Sequence, residues 1–224
     1  NMNLISPIKR HSGLQVKVNQ PYGDTSNLAW YKANGLNLSF HNGVDLALNG
    51  TDKQNYGCEL VACFDGRIAK ITYDGPMSTK GNGITLQSEI INENGKQYLY
   101  QAVYWHLSEI VTPKSSYKQG EAIGYMGNSG LVTPSPSPFC LYCGTHVHFM
   151  LFVWESVNGT FVLLNADNGV QGAVDPLPFI ANLQGEVGVD TSSEKDLAPF
   201  QYYIDQIKAK LVVLTIKVKQ FLNL

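Results

Sequence analysis

Apolar and polar residues alternate with a period of two over much of this chain, the spacing of a strand that buries one face. Leu36, Leu38 and Phe40 share one parity, and Val44, Leu46 and Leu48 resume it. The run E-L-V-A-C-F-D-G-R-I-A-K-I-T-Y, Glu59 to Tyr73, places two β-rich segments around Asp65-Gly66 and reads as a hairpin. Ile84 to Ile91, Gln97 to Leu107 and Gly120 to Tyr125 add strands, divided by Gly, Asn and Pro. No helical period stands out before residue 195. The reading is mainly β, an antiparallel sheet or sandwich.

The domain plan follows from the same pattern. Residues 1–20 read as a lead-in, 21–183 as the β domain and 184–199, rich in Gly, Ser and acidic residues, as a linker. From 200 to 224, Phe200, Ile204, Ile207, Leu211, Leu214, Val218 and Phe221 recur at alternating spacings of 4 and 3, the seam of a heptad-patterned C-terminal helix. So short a seam needs a partner surface, either this chain's own β domain or a second copy in a homo-oligomer.

Composition narrows the function. The 224 residues carry a formal charge of −2, so no basic surplus exists to neutralise phosphates and nucleic acid is a poor partner. Apolar runs of a few residues fall well short of the ~20 that span a bilayer. The N-terminus shows no basic segment followed by a hydrophobic one, so export would be signalled elsewhere or a leader removed. The four cysteines, Cys58, Cys63, Cys140 and Cys143, are too few for a disulfide scaffold. Cys140-x-x-Cys143 suits a small disulfide, with a four-cysteine structural zinc or free buried thiols as alternatives. It follows the stiff P-S-P-S-P excursion, Pro134 to Pro138, which would make a wall beside a site.

Four of the five histidines suggest that site. His146 and His148 leave the same face of a strand in G-T-H-V-H-F-M-L-F, and His41 and Asp45 share the non-core parity of H-N-G-V-D. An extended i, i+4 pair lies roughly 13 Å apart, too far for one ion, so the chain must bend at Asn42-Gly43. His106 lies in Y-W-H-L. Singly, each pattern is more often structural than functional; together they suit a mononuclear zinc held by His41, Asp45 and one of the H-x-H histidines, with a fourth position open to water. The other H-x-H histidine and His106 would then stand by as proton acceptor and oxyanion partner, which is metal-assisted amide hydrolysis.

H-N-G-V-D, V-A-C-F-D-G-R-I, Y-W-H-L-S, Q-G-E-A-I-G-Y-M-G-N-S-G and G-T-H-V-H-F together resemble the lysostaphin-type zinc endopeptidases, which cut peptide bonds in bacterial peptidoglycan. The resemblance runs from about Pro21 to Ile180 and includes D-P-L-P-F-I at its end. It implies that His41, Asp45 and His148 hold one zinc ion, that His146 is the general base, and that His106 positions water and stabilises the tetrahedral intermediate. It also implies peptidoglycan peptides as partners and a place outside the cytoplasm, in a secreted protein or on a phage particle. Three departures from the family pattern stand out: Val147 in place of leucine, Met150 where an acidic residue often follows, and a longer Val132 to Cys143 segment. The alternative is a non-catalytic or latent module of the same fold that binds wall peptides or activates another hydrolase.

Overall fold

The computed structural model describes residues 2–9, 11, 13–74 and 78–183. The chain divides into two units, Asn1–Thr191 and Ser192–Leu224, and all described residues belong to the first. The linker at 184–199 and the helix at 200–224 read from the sequence lie outside the described residues.

Among the described residues the main sheet has nine strands. Its backbone runs, edge to edge, Val16–Gln20, Val44–Leu48, Val147–Val157, Lys96–Leu107, Asn82–Ser88 and Gly66–Tyr73, every pair antiparallel. A three-stranded sheet, Glu59–Val61, Ala122–Tyr125 and Glu109–Ile110, stands beside it. Leu4–Ile5 pairs in parallel with Ile180–Asn182. Residues 1–20, read as a lead-in, thus contribute two strands, one of them at the edge of the main sheet. The mainly antiparallel β class expected from the alternation is the one observed.

The core explains the alternation. Val147, Phe149, Leu151 and Val153 share one parity and are buried, and they join Leu46, Leu48, Ile84, Leu86 and Tyr104 of neighbouring strands in one cluster. Leu60 and Ile123 of the smaller sheet belong to the same cluster, so the core couples both sheets. The Tyr104 hydroxyl donates to the Val61 carbonyl (3.1 Å) and accepts from the Cys63 amide (3.1 Å), which satisfies polar groups that burial would otherwise strand.

Three local expectations fail for physical reasons. Asp65-Gly66 does not close a hairpin: Glu59–Val61 and Gly66–Tyr73 lie in different sheets. The Asp65 carboxylate is taken by the Gln119 amide (2.7 Å) and Lys118 (2.7 Å). Gly66 is there for a close approach, since a Cβ would stand 2.3 Å from the Gln87 carbonyl oxygen. Leu36 and Leu38 alternate with polar residues yet form no strand; they line a groove instead. Helices also occur before residue 195, at Leu28–Ala33 and Asp52–Asn55, each too short to display a 3.6-residue period.

The Asp52–Asn55 turn braces the strand that carries Asp45. Buried Asn55 accepts from the Leu48 amide (2.5 Å) and donates to the Leu48 (3.2 Å) and Thr51 (2.9 Å) carbonyls. Asn55→Ala leaves those buried groups unpaired, and urea unfolding should show a loss of about 1–3 kcal/mol.

Candidate metal centre and groove

The register of two strands builds the centre. Asp45 stands opposite His148 across the antiparallel pair, so their side chains leave the same face as neighbours. His41 reaches them because the chain bends at Gly43 before the strand starts. A Cβ on Gly43 would meet the Phe149 carbonyl at 2.7 Å and the Met150 side chain at 2.8 Å, so only glycine lets the bend lie against the Val147–Val157 strand. Met150, the departure from the acidic pattern, is buried in this contact.

Three donor atoms converge. His148 Nδ1 lies 2.8 Å from Asp45 Oδ1, His41 Nε2 lies 3.2 Å from the same oxygen, and the two imidazole nitrogens are 3.0 Å apart. Donors about 2.0–2.1 Å from one tetrahedral ion stand roughly 3.3 Å from each other. The set is close to that spacing and is of the N, N, O type that binds divalent transition metals. His41 Nδ1 donates to the Pro21 carbonyl (3.0 Å), which leaves the lone pair on Nε2, the atom that faces the cluster. These three residues could hold a metal ion, and no fourth His, Cys, Asp or Glu among the described residues joins them.

Two more imidazoles complete the arrangement. His146 Nδ1 lies 2.7 Å from the Gly144 carbonyl, and its Nε2 faces Asp45 Oδ1 at 3.7 Å. His106 Nδ1 lies 2.8 Å from the Ser129 carbonyl, and its ring centroid stands 4.8 Å from that of His146. In a regular strand His106 would point away from the face that its neighbour Trp105 shares with His148. Its φ of 67° breaks the alternation and turns the ring into the site. The structure therefore brings all five residues singled out in the sequence, His41, Asp45, His106, His146 and His148, to one place.

The electrostatics are those of a largely buried carboxylate ringed by imidazoles. Burial alone would raise the Asp45 carboxyl, but His146, His148 and His41 outweigh it and hold it well below the usual range. Burial pulls His41 down, and Asp45 more than reverses this, so its pKa is raised. His148 is lowered by burial and by the other imidazoles, against the pull of Asp45. His106 falls to about 3, first through burial and then through repulsion by His146 and His148.

A family model for peptidase family M23 matches residues 39–170, more than half of the chain and the whole of this centre. The chain belongs to peptidase family M23. No curated protein matches it in sequence. Similar solved structures include a zinc-containing peptidase from Vibrio cholerae, 17% identical, covering 72% of this chain and 39% of that one at a TM-score of 0.44. The antimicrobial peptidase lysostaphin from Staphylococcus simulans is 23% identical, over 81% of this chain and 56% of that one, with a TM-score of 0.45. The catalytic domain, as a point mutant, of the prophage-encoded M23 protein EnpA from Enterococcus faecalis is 21% identical, over 69% of this chain and 93% of that domain's chain, with a TM-score of 0.40. This M23 chain thus spans 39% and 56% of the first two proteins.

The centre lies in a groove of about 580 Å³. One wall is the segment Leu131 to Pro134 with Gly144 and Thr145, so of the Pro134–Pro138 excursion Pro134 borders the site. The Cys140–Cys143 disulfide and the Asn128 amide, which donates to the Leu141 (2.9 Å) and Cys143 (3.1 Å) carbonyls, hold that loop. Cys58 and Cys63 are free thiols buried elsewhere in the core, which overturns the four-cysteine zinc alternative. Burial pushes them up to about 11 and about 12. The sequence reading missed Trp30, Tyr31, Lys80 and Trp105, which also line the groove. An aromatic pair in a short helix and a lysine beside a tight turn carry no periodic signal.

The His106 shift makes acid stability a direct test. Its folded pKa of about 3 lies below the unfolded value of ~6.5, so its contribution is complete above ~6.5 and is lost as pH falls towards 3. Urea unfolding of metal-free protein should show His106→Gln losing less stability than wild type between pH 7 and 4, by about 2–4 kcal/mol.

Proposed function

We propose that this chain is a zinc-dependent endopeptidase that hydrolyses peptide bonds in bacterial peptidoglycan. One observation carries the reading: three metal-type donors within 3.2 Å of one another stand beside two further imidazoles in a groove, inside the segment that matches the family. His41 Nε2, Asp45 Oδ1 and His148 Nδ1 would hold the ion. When bound, zinc lowers the pKa of a coordinated water to about 7 and polarises a carbonyl.

The residues of the chain supply the rest. The Gly144 carbonyl can only accept, so His146 keeps its proton on Nδ1 and presents a basic Nε2 to the centre, the position of a general base. His106 likewise keeps its proton on Nδ1, against Ser129, and its lowered pKa keeps the ring neutral. A neutral ring with a bare Nε2 accepts a hydrogen bond and cannot donate one. This supports the water-positioning part of the role expected of His106 and not the oxyanion-stabilising part. The Cys140–Cys143 disulfide supports a place of action outside the cytoplasm, from a bacterial or a virion source. No helix among the described residues is long and apolar enough to cross a membrane.

Purified cell walls and metal analysis test the reading. Chelation should abolish the fall in wall turbidity and added Zn²⁺ should restore it. Asp45→Ala should lose the bound zinc, whereas His146→Ala should keep it and clear walls at least ~100-fold more slowly. Equal clearing by His146→Ala would show that this residue is not the base.

A further inference from the structure

Lys80 has an environment unlike that of any other described lysine. Lys9, Lys96, Lys114 and Lys118 each pair with a carboxylate, at 2.8, 2.7, 3.5 and 2.7 Å. Lys17, Lys32, Lys53 and Lys70 are exposed to solvent. Lys80 is half-buried and has no carboxylate partner among the described residues. Its ammonium lies over the Trp105 indole, 5.5 Å from the ring centroid. Among the described residues it is the one Lys or Arg side chain that lines the groove. The carboxylates on the same groove are already engaged, Asp24 by Ser26 and Gln20 and Asp52 by the Gly144 amide.

The backbone holds this cation in place beside the reacting groups. The Lys80 carbonyl accepts from the His106 amide (3.2 Å), and its own amide donates to Ser78 Oγ (3.2 Å). The Trp105 ring on which it rests stacks on His148, with centroids 5.1 Å apart. The indole face restrains the long side chain yet takes up none of its three N–H donors, which stay available to an acceptor in the groove.

Resting on the endopeptidase reading, we infer that Lys80 is a specificity-determining residue that binds a free carboxylate of the substrate peptide. A half-buried, unpaired ammonium in a groove is stabilised most by an anion, and a carboxylate accepts its hydrogen bonds with charge assistance. The ammonium is 5.5 Å from the Trp105 ring centroid, which is 5.1 Å from that of the His148 ring that carries the zinc-type donor. At roughly 3.5 Å per extended residue, the carboxylate lies within about three residues of the scissile amide. This carboxylate is a free α-carboxylate, at the peptide C-terminus or on a γ-linked glutamyl residue.

Calorimetry on the full zinc-loaded chain with two pairs of synthetic peptides tests this. One pair differs only in a C-terminal acid or amide, and the other only in the α-acid or α-amide of a γ-linked glutamyl residue. In at least one pair the acid should bind roughly three- to tenfold more tightly, and the pair that shows the preference identifies the source. Lys80→Gln should bring the ratio to about one, Lys80→Arg should keep it, and added salt should shrink it. Equal affinities in both pairs, or a preference that survives in Lys80→Gln, overturns the inference. Wall clearing is scored separately: walls that clear without an acid preference sink only this inference, and a preference without clearing sinks the hydrolase reading.

Discussion

Everything in this site depends on one largely buried carboxylate that three imidazoles surround. Asp45 sits on the strand next to the edge of the main sheet, where an unpaired charge would be costly. Its Oδ1 lies 2.8 Å from His148 and 3.2 Å from His41, and His146 approaches to 3.7 Å. These contacts hold the carboxylate ionised, and it in turn keeps the imidazoles within reach of one point. A positive ion at that point satisfies all three donors at once. Binding a cation is therefore the arrangement that the local charges favour.

The backbone reaches this arrangement through two departures from regular strand geometry. At Gly43 the absence of a Cβ lets the chain bend against the next strand, so His41 and Asp45 close to ligand distance. At His106 a positive φ reverses the side chain's direction and places a fourth imidazole beside His146. Both irregularities lie at the ends of strands whose other residues pack the common core. The sheet thus supplies rigidity and the breaks supply aim, the division of labour that a preorganised site requires.

The groove divides by chemistry in the same way. Histidines and Asp45 form its floor, while Trp30, Tyr31, Trp105 and Lys80 give it aromatic and cationic surface. The loop before the histidine pair makes another wall, tied down by its disulfide and by Asn128. These walls come from segments of low regularity, and such segments vary most easily without disturbing the core. On the proposed reading, selectivity for a substrate belongs there and bond cleavage to the floor.

The sequence by itself determined the β class, most strand positions and the five residues of the centre, and it offered the disulfide as one of three readings of the cysteines. Strand alternation, Asn-Gly punctuation and the H-x-x-x-D and H-x-H spacings are local, and local spacing survives in one dimension. It could not choose His148 over His146 as the metal donor on spacing alone, because two residues of equal parity look alike until register sets one opposite Asp45. Nor could it foresee that Asp65-Gly66 opens a crossing between sheets, since the Gln119 amide and Lys118 that claim Asp65 lie more than fifty residues away. Tertiary structure decided the pairing of strands, the turn of His106 into the site and the position of Lys80 over Trp105. Each of these rests on contacts between distant segments, whose energies no local pattern encodes.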